Sequence, residues 1–93
     1  ATSNDVQNEG RARSNLAHRL IGLQRFDDAR RELLRAIECK QPFGHVAEPW
    51  KTFELLCRLE LATCNPAAAR AARQRAIEAY EAYRAQGGEV RAR

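Results

Sequence analysis

Apolar residues recur at helical spacing along most of this chain. Leu16, Ala17, Leu20 and Leu23 stand at i, i+1, i+4 and i+7, which predicts a helix over residues 9–23 with a stripe facing a neighbour. Residues 24–27 interrupt the pattern. A second helix opens at Phe26 or Asp27, and Asp27 and Asp28 fall in its first turn, where the helix dipole favours acids. Its stripe is Ala29, Leu33, Ala36 and Ile37, and it ends near Cys39 because Pro42 and Gly44 block continuation. Residues 40–47 are predicted to be a loop. Glu48-Pro49-Trp50 then predicts a first helical turn, since proline is tolerated there. This third helix carries Phe53, Leu56, Cys57, Leu59 and Leu61 to about Thr63. Asn65-Pro66 is an N-cap followed by proline at the first helical position. An alanine-dense fourth helix follows to Arg84 or Ala85, carrying Ala69, Ala72, Ala76, Tyr80 and Tyr83, and Gly87-Gly88 stops it. Nothing reads as a strand pair. The prediction is all-α: two antiparallel helix-turn-helix hairpins, the last helix long. A flexible leader is expected at residues 1–8, one domain at 9–86 and a disordered tail at 87–93.

The halves repeat. Leu16 and Leu56, Ala17 and Cys57, Phe26 and Pro66, Ala29 and Ala69, and Ala36 and Ala76 are each 40 residues apart. The triplet Arg35-Ala36-Ile37 returns as Arg75-Ala76-Ile77. Two helices approach closely only where one offers a small side chain, and Ala17, Ala29, Cys57 and Ala69 offer it. Leu16, Ala17, Leu20, Phe26, Ala29, Leu33, Ala36 and Pro42 together resemble the tetratricopeptide repeat (TPR) family. Arg13 stands where that family has tryptophan, and Phe53 stands there in the second, more divergent repeat. Glu60 and Arg73 replace a usual tyrosine and a usual large apolar residue. The repeat is longer than the family's roughly 34 residues, and the 40–47 loop holds the excess. The resemblance implies a fragment of an α-solenoid, with repeat one at 10–42 and repeat two at 48–86.

The resemblance also implies a protein or peptide partner held on a concave surface lined by the first helix of each repeat. The residues that would line it are Arg11, Ser14, Asn15, His18 and Ile21, with Lys51, Glu54, Leu55, Arg58 and Leu61. Arg11, Asn15, His18, Lys51 and Arg58 are the candidate partner contacts. Its three cations suit an acidic segment, and the bland alternative is that they are merely solvated. Phe43 and Trp50 form a candidate aromatic edge, or Trp50 simply anchors the loop in the core. Tyr80 and Tyr83 read first as core residues, with an interface as the alternative. Two repeats are few for a solenoid, so a cap formed by the long fourth helix, a longer array or a homodimer are the open resolutions.

Composition narrows this picture modestly. Of 16 basic residues only Lys40 and Lys51 are lysine, and the net charge is +4. An arginine- and alanine-rich, lysine-poor chain suggests a bacterial source, and the absence of methionine suggests a mature form or a piece of a longer protein. The double hairpin repeat without a catalytic set leads to the expectation of a larger regulatory or signalling protein. Nucleic acid is the alternative partner that the charge permits, but acids alternate with the arginines and no recognition motif is present. Cys39, Cys57 and Cys64 lack paired spacing, which fits free thiols and a cytoplasmic setting. No apolar run is long enough to span a membrane. His18 and His45 have no zinc-ligand spacing with the cysteines, and no phosphate-loop motif occurs, so no metal and no cofactor are expected. Ser14 and His18 share a helix face without a sign of an orienting acid or oxyanion donor. No catalytic residues are expected, and the chain reads as a scaffold and not as an enzyme.

Overall fold

The computed structural model describes residues 2–85. Four helices follow one another: α1 (Thr2–Gly22), α2 (Phe26–Lys40), α3 (Pro49–Ala62) and α4 (Pro66–Ala85). There is no strand among the described residues. The expected leader is absent as such, because α1 runs back through it to Thr2, with Asp5 in its first turn. The expected tail lies outside the described residues. The expected loop is also more ordered than the sequence pattern suggests. Residues 41–47 form 3-10 turns broken at Gly44, whose φ of 58° suits glycine.

α1 packs on α2 and α3 on α4 as hairpins, and α2 joins the two by packing on α3. The turns of the hairpins match bond for bond. In the first, Gln24 has φ 62°, the Arg25 amide donates to the Leu20 carbonyl at 2.8 Å, and the Gln24 amide donates to Ile21 at 3.0 Å. In the second, Cys64 has φ 62°, the Asn65 amide donates to Glu60 at 2.8 Å, and the Cys64 amide donates to Leu61 at 3.2 Å. This crossed pair of bonds satisfies carbonyls that a helix end leaves open. Asn65 departs from the simple cap expected of it. Its carbonyl accepts from the Ala69 amide at 2.9 Å, while its side-chain amide donates to Glu60 and Thr63.

The core runs across all four helices. Ala17 and Leu20 of α1, Ala29 and Leu33 of α2, Leu56 and Leu59 of α3, and Ala72 of α4 form one buried cluster. Leu33 and Leu59 are fully buried, each worth about 2 kcal/mol in transfer terms. Ala17 and Ala29 are 0% exposed, which is the close helix approach that small residues allow. Gly10 extends that approach towards the start of α1: a Cβ there would stand 3.0 Å from Lys40 Cγ. A second cluster joins Trp50, Phe53 and Ala76, with Tyr80 and Tyr83 packed against it.

The stripes need correction at their flanks. Leu16, Leu23 and Leu61 are 42%, 69% and 62% exposed. The buried face of α1 is Gly10, Ser14, Ala17 and Leu20, a helical row that puts Leu16 and Leu23 to one side. The mixed charges of α2 divide: Arg30 and Glu32 are partly buried and pair across helices with Glu60 and Arg13, while the others lie towards solvent. Arg25 and Arg31 both pair with Asp28, and Arg35 pairs with Glu38 at 3.0 Å, all at i,i+3 spacing.

Candidate functional site

α1 and α3 flank a cleft of about 420 Å³ that the end of α2 and the linker close at one side. The hairpin turns aim α1 and α3 so that residues four apart on each helix share its wall. Arg11, Ser14, Asn15 and His18 come from α1, with Gln7 one turn earlier. Lys51, Glu54, Leu55 and Arg58 come from α3. Lys40, Ala47 and Glu48 complete the lining. All five candidate contacts, Arg11, Asn15, His18, Lys51 and Arg58, therefore meet in one cavity. Ile21 does not line it, being packed against the core, nor does Leu61.

The aromatic edge does not form as expected. Trp50 is only 9% exposed, its ring 4.7 Å from that of Tyr83 and edge-on to Tyr80 at 5.5 Å. Burying an indole against two phenols gains more than exposing it beside a loop. Trp50 therefore anchors α3 to α4, and the half-buried Phe43 lies outside the cleft lining. The tyrosines serve this internal cluster.

The cleft is electropositive. Arg11 and Arg58 form no ion pair among the described residues, whereas Lys51 reaches Glu48 at 3.1 Å. The Lys51–Glu48 pair is exposed and contributes little. The floor holds a feature that spacing did not suggest. Lys40 is buried, and its ammonium donates to Thr52 Oγ1 at 2.8 Å. Ser14 Oγ lies 3.4 Å from the same oxygen. Burial pushes the Lys40 pKa below that of an ordinary lysine. Glu48 counteracts this, and the nearby charges of Arg11 and Lys51 add to it.

A second polar group ties the hairpins together behind the cleft. Arg30 of α2 donates to Glu60 Oε1 at 2.7 Å and, more weakly, to Oε2 at 3.4 Å. Thr63 and Asn65 complete the set. The Arg30 guanidinium holds the Glu60 carboxyl below the usual range, with burial opposing it. Sequence reasoning saw Glu60 only as a departure and overlooked Lys40 and Thr52. The alignment did carry a signal, since Lys40 and Glu60 stand opposite Tyr80 and Leu20 in the other repeat.

These groups supply hydrogen-bond donors and positive charge. No cluster of His, Cys, Asp and Glu able to hold a metal ion occurs among the described residues, and no helix there is long and apolar enough to cross a membrane. No family model, curated protein or solved structure matches the chain.

Proposed function

We propose that this chain is a TPR-like scaffold, without enzymatic activity, that receives an acidic stretch of a protein or peptide partner in the α1–α3 cleft. The observation that carries the reading is the convergence of Arg11, Asn15, His18, Lys51 and Arg58. Their positions came from the family resemblance, and they line a single cavity. The exposed, unpaired Arg11 and Arg58 suit bidentate contacts with carboxylates. An extended peptide fits a groove between parallel helix faces better than a globular surface does. The setting this implies is a larger bacterial regulatory or signalling protein of the cytoplasm.

The test is capture from the source lysate by the wild-type chain and by an Arg11→Glu/Arg58→Glu variant of unchanged helicity. Loss of a specific partner, by about tenfold or more in affinity, is expected from reversing two contacting charges. Equal capture by both baits rejects the cleft, and capture of only the chain itself identifies an assembly module instead.

A further inference from the structure

The cleft floor carries positive charge that the fold leaves uncompensated. Lys40 is 7% exposed, and buried charges are ordinarily paired. Its partner is a neutral hydroxyl, Thr52 Oγ1 at 2.8 Å. An ammonium has three donors. The other two find no protein acceptor among the described residues. Arg11 and Lys51 line the same cavity as Lys40, together with Arg58 and the carboxylates Glu48 and Glu54. Glu48 is already engaged by Lys51 at 3.1 Å. The cavity lining thus holds four cations, Arg11, Lys40, Lys51 and Arg58, against two carboxylates, Glu48 and Glu54, an excess of about two charges. The donors come from three helices, α1, α2 and α3, and border one cavity.

We infer that the floor of the cleft is a phosphoryl subsite, in which Lys40, Arg11 and Lys51 hold the dianion of a phosphate monoester carried by the bound peptide. A phosphate monoester carries about −1.5 to −2 charge at neutral pH and three acceptor oxygens. That matches the charge excess, and it suits donors arriving from three directions. A carboxylate offers one charge and a planar pair of oxygens. Thr52 orients the Lys40 ammonium, and Ser14 supports Thr52. Only the peptide as source rests on the function proposed above. The anion site rests on the floor geometry alone.

The experiment is a titration of the full chain with inorganic phosphate, O-phosphoserine and acetate at matched ionic strength, read by NMR at the Lys40 ammonium and the Thr52 amide. Phosphate is expected to shift both saturably and to raise the Lys40 pKa. O-phosphoserine is expected to bind within about threefold of phosphate, and acetate about tenfold more weakly. Lys40→Met keeps the aliphatic packing and should weaken phosphate binding by about tenfold, and Lys51→Gln by about threefold. Arg73→Gln, exposed on α4 and outside the cleft lining, should leave phosphate binding unchanged. Absence of a saturable shift, equal binding of acetate, or unaltered binding by Lys40→Met each overturns the subsite. Binding of phosphate without O-phosphoserine overturns the monoester. A chain that binds both anions yet loses no partner on Arg11→Glu/Arg58→Glu substitution keeps the subsite and loses the peptide.

Discussion

Gln24 and Cys64 hold the same left-handed backbone with the same flanking hydrogen bonds, yet the second helices that follow them end in different surroundings. In repeat one, α2 is covered by both α1 and α3, so Leu33 and Ala36 are fully buried. In repeat two, α4 is covered mainly by α3, and its counterpart of Leu33 is the exposed Arg73. Ile77, the counterpart of the half-buried Ile37, is 42% exposed. The turn is a local object and repeats. Burial depends on a neighbouring hairpin, and among the described residues α2 packs against one and α4 does not. The sequence of α4 follows suit, using arginine where leucine would lie open to water.

The sharpest way to break this comparison is to truncate paired positions. Leu33→Ala should destabilise the fold by about 3 kcal/mol, because it opens a cavity under two helices. Arg73→Ala should change stability by less than about 0.5 kcal/mol. Chemical denaturation of both variants measures the contrast, and equal costs would show that α4 is covered as α2 is.

A smaller effect tests what joins the repeats. Leu20 fills the core of repeat one, while Glu60 in the matching place reaches Arg30 of the other hairpin. Glu60→Ala should cost about 2 kcal/mol, since it leaves Arg30 half-buried without its main partner. The lowered Glu60 pKa gives a sign as well. Its unfolded value is near the ordinary 4.5, so its contribution is complete above about that pH and is lost as pH falls through the lower folded value. A Glu60→Gln chain should therefore lose less stability than wild type on acidification, measured as denaturation midpoints across the acid range.

The smallest effect sharpens the likeness. Left-handed φ costs a side chain energy that glycine avoids. Gln24→Gly and Cys64→Gly should each stabilise by about 0.5 kcal/mol, nearly equally and additively, in thermal or chemical unfolding. Unequal gains would mean that the turns differ in ways their hydrogen bonds do not reveal.

Much of the architecture was legible in the residues. The small side chains at Ala17, Ala29 and Ala69 and the breaks at residues 24–27 and at Asn65-Pro66 are short-range signals, and short-range signals set helices and turns. The cleft residues were named from the family resemblance carried across the 40-residue offset, and most of them line one cavity. Three things were decided only by the tertiary structure. Trp50 lies at the start of α3 and becomes core because Tyr80 and Tyr83, in the last turns of α4, fold back over it. Lys40 ends α2 like any solvated lysine in sequence, and it is buried because Gly10 lets α1 close over its stem. Glu60 sits in an apolar row and is tolerated there because Arg30 arrives from the other hairpin. Periodicity reports which residues share a helix face. What stands across from that face, and therefore whether a charge there is solvated, paired or buried, depends on contacts between residues far apart in the chain.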